Sequence, residues 1–183
     1  MTIFALTALI GLFAFSGTVA APSGDVYSEV NAPSFSVKLT AYNAVVEQTD
    51  SDPHTTASGA FSNPEVVAAR SRDLAEVLPF GTIIAIEGPA VADNDCGYDL
   101  VASRIGYRVI ADSMHSRKRE QVDVLLDYTE RVRAAGKIVN PALALGICEG
   151  SSVRIVGYVD INHMPKTQGE LARLVEGEKV ATR

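Results

Sequence analysis

The sequence predicts a small, mainly β barrel with short helices inserted late in the chain. About six short segments have the alternation or the β-branched composition of strands. Long helices do not follow these strands regularly, which argues against a doubly wound α/β sheet. At 183 residues, 47% of them apolar, the chain is long enough for one domain with a real core.

The net charge of the chain is -6, with one short basic cluster at Arg117, Lys118 and Arg119. Proteins that bind nucleic acid or anionic membranes need clustered positive charge. We therefore expect no nucleic-acid partner. We also expect a monomer.

The first segment of the chain is typical of a targeting sequence. Residues 3–15 are almost wholly apolar and small residues follow at 16–21, so we expect a signal peptide at 1–21 and a flexible leader at 22–34. The apolar run is short for a bilayer span, and no Lys or Arg precedes it. An uncleaved anchor is the alternative. A domain at 35–160 and a tail at 161–183 would complete the chain.

The first half of the domain begins with Phe35–Tyr42, whose period-two alternation predicts a half-buried strand. Glu47–Gly59 is polar and contains turn-forming pairs, which indicates an exposed loop. Val66–Ala69 is apolar and predicts a buried strand. Ser71 is suited to cap a short helix at Arg72–Leu78 that Pro79 would end.

A strand at Thr82–Ile86 follows, and the polar segment 87–106 is interpreted as a long loop or a small hairpin. Tyr107–Ala111 and Val122–Leu126 are apolar strands joined by a charged connection. Asp112 leaves the first of these strands and Asp123 lies at the start of the second. Carboxylates at such positions can point from a rigid sheet into a cleft.

The last third of the chain predicts three helices and a strand. A helix is expected at Tyr128–Ala135, ending at Gly136, and a second begins at Asn140-Pro141, with Asn as the cap and Pro at the first helical position. Val153–Val159 predicts the last strand, and Thr167–Val175 an amphipathic helix.

Cys96 and Cys148 are the two cysteines of the chain. In an exported protein they can form a disulfide that closes a loop of roughly fifty residues and contributes ~4 kcal/mol. Two buried free thiols are the alternative. Neither cysteine has a histidine at a metal-ligand spacing, so we expect no zinc site, and no metal or cofactor altogether.

Six short motifs occur in one order along the chain. They are Thr40-Ala41-Tyr42, Thr56-Ala57-Ser58-Gly59, Ala68-Ala69-Arg70-Ser71-Arg72-Asp73-Leu74, Leu78-Pro79-Phe80-Gly81-Thr82, Ala111-Asp112-Ser113-Met114 and Val122-Asp123-Val124. Together these motifs resemble the three-aspartate domain of bacterial cell-wall lytic enzymes, over about Val37–Tyr158. That resemblance implies a six-stranded double-psi β-barrel, as in membrane-bound lytic transglycosylases and stationary-phase muralytic factors.

The same resemblance assigns roles to the three aspartates. Asp123 matches the catalytic acid, Asp112 its supporting carboxylate, and Asp73 the first of the three, with a more structural role. Ser113 stands where the family commonly has Thr. The segments 87–106 and 128–139 are longer than the family pattern and can reshape the groove.

Lytic transglycosylation of peptidoglycan needs one carboxyl that first donates a proton and then accepts one, leaving a 1,6-anhydro product. That acid must be protonated near neutral pH, well above the ordinary aspartate pKa of ~3.9. Repulsion between Asp112 and Asp123 is one means of raising the pKa of Asp123. The substrate that the resemblance implies is peptidoglycan or a related polysaccharide.

Five further residues are candidate substrate contacts, and each has a plainer alternative. A tyrosine at a strand end can stack on a sugar or lie in the core, hydroxyls can bind a sugar or satisfy turns, and a loop histidine can be merely solvated. The candidates are Tyr42, Thr56, Ser58, Thr82 and His115.

Two other functions fit the sequence. A non-catalytic polysaccharide-binding module of the expansin or barwin type would use a similar groove, although the absence of Trp argues against a pure binder. A secreted structural domain could bind calcium through its aspartates, which lack the close spacing of a dedicated loop. No Gly-x-Ser-x-Gly elbow, phosphate loop or dinucleotide fingerprint occurs.

Overall fold

A computed structural model describes residues 34–49, 51–91 and 96–181, with side chains as far as residue 177. The predicted signal peptide and all of the predicted leader except Ser34 lie outside the described residues. Among the described residues, no helix is long and apolar enough to cross a bilayer.

The barrel has six strands: β1 (Ser34–Tyr42), β2 (Val67–Arg70), β3 (Thr82–Glu87), β4 (Tyr107–Ser113), β5 (Gln121–Leu125) and β8 (Cys148–Tyr158). They close in the order β1–β5–β2–β4–β3–β8. Two neighbouring pairs, β1 with β5 and β2 with β4, run parallel, and the other four pairs are antiparallel. The mainly β barrel predicted from the sequence is thus confirmed.

The period-two alternation of the strands produces two apolar clusters. All six barrel strands contribute to the cluster that fills the interior, with Leu39, Val122 and Val124 among its fully buried members. The second cluster lies on the other face of the strands and includes Leu171 and Val175 of the last helix. The strands β2, β3, β4 and β5 are therefore largely buried on both faces, whereas β1 and β8 are less buried.

Three helices accompany the barrel in the described residues: α1 (Tyr98–Ile105), α2 (Pro141–Leu145) and α3 (Gln168–Ala181). The predicted start of α2 is confirmed, since Asn140 Oδ1 accepts a hydrogen bond from the Ala142 N–H and Pro141 is the first helical residue. The predicted tail helix is confirmed as α3. A disulfide joins Cys96, just before α1, to Cys148 at the start of β8.

The prediction of a loop or hairpin over 87–106 was wrong for its second half, which forms α1. Val101 and Ile105, four residues apart, are buried against the barrel. The helix begins after Gly97, which supplies no side-chain cap. Without a capping residue, the usual sequence signal for the start of a helix was absent.

The predicted helix over Tyr128–Ala135 was also wrong, because this segment enters a small hairpin. Its strands are β6 (Val132–Ala134) and β7 (Lys137–Val139). Ala135 and Gly136 both have positive φ, 47° and 78°, and form the turn between them. The glycine that was expected to end a helix therefore turns a hairpin.

The predicted helix over Arg72–Leu78 is reduced to one 3₁₀ turn at Arg72–Leu74. Ser71 does not cap it. Its hydroxyl instead accepts a hydrogen bond of 3.1 Å from the Gln121 N–H, which joins the end of β2 to the start of β5. The Ser71 side chain, expected to cap a helix, thus connects two strands instead.

Candidate active site

Asp112 on β4 and Asp123 on β5 do not lie on adjoining strands, because β2 runs between them. Both are register partners of the same residue, Ala69. Residues directly opposite one another share a face of the sheet. The two carboxylates therefore lie on one face, separated by a methyl side chain.

A β-bulge in β4 sets the direction of Asp112. Ala68 pairs with Ile110, but the next residue, Ala69, pairs with Asp112, so Ala111 is the extra residue. In regular pairing Asp112 would point the same way as Ile110, into the barrel. The Ala111 carbonyl accepts a hydrogen bond of 3.2 Å from the Ser58 N–H. The polar loop thus supports the bulge.

Both oxygens of Asp112 accept hydrogen bonds. Oδ1 accepts from the backbone N–H groups of Ala57, at 2.9 Å, and Ser113, at 2.8 Å. Oδ2 accepts from the Tyr42 hydroxyl at 2.9 Å. Burial, reinforced by Asp112, raises the pKa of Tyr42 well above its usual value, so this hydroxyl remains a donor. Asp112 is held in one orientation by three donors.

Asp123 is half-buried and is held by one oxygen. Its Oδ1 accepts a hydrogen bond of 2.8 Å from the Thr40 hydroxyl, which itself accepts one of 2.7 Å from Gln121 Nε2. No group of the described residues donates to Asp123 Oδ2. Since no buried side-chain oxygen there lacks a partner, Oδ2 reaches solvent. One oxygen is anchored, and the other has no hydrogen-bond partner among the described residues.

Burial raises the pKa of Asp123 to about 6. The Thr40 hydrogen bond and the Lys118 ammonium act in the opposite direction, and the charge of Asp112 adds the smallest contribution. Repulsion between the two aspartates, the means suggested by the sequence, is thus a minor cause, and desolvation is the main one. Near neutral pH a fraction of Asp123 carries a proton.

Asp73 is not joined to the other two aspartates by any hydrogen bond in the described chain. Its Oδ2 accepts from the Glu120 N–H at 2.9 Å, and its Oδ1 lies 3.9 Å from an Arg119 nitrogen. Burial would raise the pKa of Asp73, but the hydrogen bonds from Glu120 and Ser71 outweigh it and lower the pKa. Asp73 fixes the connection that leads into β5.

The predicted substrate contacts divide into two groups. Tyr42 and Ser58 touch the Asp112 region directly, and Thr56 lies beside Ser58, with 3.0 Å between their hydroxyl oxygens. Thr82 is fully buried and donates to the Pro79 carbonyl, which is a turn contact. His115 is exposed, and its Nδ1 accepts from the Arg117 N–H.

The sequence did not identify Thr40 or Gln121 as site residues; Thr40 binds Asp123 directly, and Gln121 binds Thr40. The available signal was the alternation of β1, which places Thr40 and Tyr42 on one face. Gln121 carried no local signal. Its role follows from the parallel pairing of β1 with β5, a contact between residues about eighty positions apart.

No group of three or more His, Cys, Asp or Glu side chains suited to a metal ion occurs among the described residues. No known family model matches the chain, and no curated protein matches it. The geometry of the site is therefore the basis for assigning a function.

Proposed function

We propose that the protein is an exported cell-wall enzyme that cleaves the β-1,4 bond between N-acetylmuramic acid and N-acetylglucosamine by lytic transglycosylation. The observation that carries this proposal is the environment of Asp123. Its pKa is raised to about 6 and its Oδ2 accepts no hydrogen bond from the described residues, which suits a general acid. The proposed reaction needs one such group.

In the proposed reaction, protonated Asp123 donates its proton to the glycosidic oxygen as the bond to the anomeric carbon breaks. Asp112, fixed by three donors, supplies negative charge near the oxocarbenium-like carbon. The substrate's 6-hydroxyl then attacks that carbon, and its proton returns to Asp123. The products are a 1,6-anhydro sugar and a new free 4-hydroxyl, with no net change at the enzyme.

The finer topology is part of the proposal. A double-psi barrel requires strands that cross so that parallel neighbours arise within one small barrel. The parallel pairs β1–β5 and β2–β4, set among antiparallel neighbours, support that topology. The proposed export is supported by the disulfide, since disulfides persist mainly outside the cytoplasm.

The test is incubation of the mature protein with purified peptidoglycan, followed by mass spectrometry of the soluble products. We expect anhydro-muropeptides from the wild type, almost none from Asp123→Asn, and a wild-type yield from Asp99→Asn, which changes an exposed aspartate of α1. Near-native turnover by Asp123→Asn would eliminate the assigned acid. Products with reducing ends would indicate a hydrolase instead. Pelleting with the polymer and no products would favour the polysaccharide-binding module.

A further inference from the structure

A cleft of about 700 Å³ opens beside the loop that carries Ala57 and Ser58. One wall is this loop, with Ser58 and Phe61, and the other is the segment after β8, with Asn162, Met164, Pro165 and Lys166. Neither Asp112 nor Asp123 lines it. The cleft is therefore separate from the carboxylates.

One hydrogen bond joins the two walls of the cleft, and further bonds fix the second wall and the segment that follows it. Asn63 Nδ2 donates to the Lys166 carbonyl at 2.8 Å. The Asp160 side chain accepts from the Asn162 N–H at 2.9 Å and fixes the short 3₁₀ helix in the second wall. Gln168 binds both backbone groups of Tyr107 in β4. The cleft is thus formed before any ligand arrives.

Both apolar and polar groups line the cleft. Phe61 is 67% exposed, more than any other Phe or Tyr of the described residues, and its ring is nearly parallel to that of His54. Met164 adds apolar surface, while Ser58, Asn162 and Lys166 supply hydrogen-bonding groups. No carboxylate of the described residues lies within ion-pair distance of the Lys166 ammonium. A flat apolar surface with a polar rim suits a pyranose ring, which has an apolar face and peripheral hydroxyls.

The loop connects the cleft to the candidate acids. The Ala57 N–H binds Asp112, and the next residue, Ser58, both supports the β4 bulge and lines the cleft. A glycan strand lying over the carboxylates would therefore reach the cleft by crossing the loop at Ala57 and Ser58.

We propose that this cleft is a saccharide subsite, in which the Phe61 ring stacks on an N-acetylated pyranose unit of the glycan away from the bond that is cleaved. The inference rests on the proposed function for the identity of the glycan. Asn162 and Lys166 bind the hydroxyl and acetamido oxygens at the rim.

The experiment uses the Asp123→Asn variant, which cannot turn over substrate, titrated with penta-N-acetylchitopentaose and followed by amide NMR. We expect the signals of residues 58–61 and 161–166 to shift. Adding Phe61→Ala should weaken binding about fivefold, whereas Phe61→Tyr, which keeps the ring, should bind as before. Ile138→Ala is the matched control, because Ile138 is equally exposed, at 66%, and lies outside the cleft.

The absence of shifts at the cleft, or equal binding by the Phe61→Ala and Phe61→Tyr variants, would overturn the subsite. Because Phe61 is exposed, its substitution should leave the fold intact, which the unperturbed remainder of the amide spectrum will show. Cleavage of peptidoglycan by the wild type without cleft shifts would refute the subsite alone. Cleft binding without wild-type cleavage would refute the enzyme and leave a glycan-binding cleft.

Discussion

Asp112 and Asp123 are register partners of one residue, Ala69, from opposite sides of β2. Two strand spacings therefore separate their backbones, about 10 Å. The charge of Asp112 accordingly has only a small part in the pKa of Asp123. The arrangement gives two carboxylates with different roles: one is saturated with hydrogen bonds, and the other is partly desolvated and open at Oδ2.

The first prediction concerns the pH dependence of glycan cleavage. The acid must be protonated, and the pKa of Asp123 is about 6, so kcat/KM should fall about tenfold per pH unit above that value. The measurement is the initial rate of anhydro-product release between about pH 5 and about pH 8. A rate that rises through this range would exclude Asp123 as the general acid.

The variant Thr40→Val tests whether the pKa of Asp123 causes this pH dependence. The Thr40 hydrogen bond lowers the pKa of Asp123, so its removal should move the descending limb of the profile to higher pH. Thr129→Val is the matched control, because Thr129 makes the same type of bond to Asp127, at 2.7 Å, on the surface. An unchanged profile in Thr40→Val would show that Thr40 does not tune the acid.

The second prediction is that Asp123→Asn stabilises the fold near neutral pH. A carboxyl whose pKa is raised on folding binds its proton more tightly in the folded state. Its stabilising effect is complete below the unfolded pKa of ~3.9 and is lost as the pH rises through about 6. The free energy of unfolding of the variant minus that of the wild type should therefore be about 1–3 kcal/mol larger at pH ~7 than at pH ~3.

Urea denaturation at the two pH values measures this gain. The control variant is Asp127→Asn, whose stability should change with pH in the opposite direction, because hydrogen bonds from Thr129 lower the pKa of Asp127. Its stabilising contribution is present above the unfolded pKa and is lost at low pH. The Asp127→Asn variant should thus lose stability relative to the wild type at neutral pH. If both variants respond alike, Asp123 is not desolvated.

The strands could be predicted from the sequence because their signal is local. Alternation over Phe35–Tyr42 and the apolar run at Val66–Ala69 depend only on neighbouring residues. The insertion of β2 between β4 and β5 is a contact between distant segments, which no local pattern encodes. The bulge at Ala111 is equally hidden, since alanine has no conformational signature there. The partners of the two aspartates therefore could not be predicted, although the aspartates themselves could.

The third prediction tests whether the Tyr42 hydroxyl positions Asp112 for the reaction. Tyr42→Phe removes one of the three donors to Asp112 and should cost about 1 kcal/mol in stability. Because Asp112 Oδ2 then loses its donor and the carboxylate is held through Oδ1 alone, cleavage should also slow about fivefold. Tyr98→Phe is the control, since the Tyr98 hydroxyl donates to the Ile86 carbonyl at 2.8 Å, outside the site. It should lose similar stability and keep wild-type kcat; equal slowing in both variants would contradict a positioning role for Tyr42.

The last prediction concerns the disulfide between Cys96 and Cys148. Their sequence separation is 52, and closing a loop of this size in the unfolded chain should contribute about 4 kcal/mol. Replacing both cysteines with alanine should lower the free energy of unfolding by about that amount. Cleavage at 25 °C should persist, because neither cysteine contacts Asp112 or Asp123. A reducing agent should destabilise the wild type and leave the double variant unchanged; equal sensitivity of both proteins would show that the bond is not what stabilises the fold.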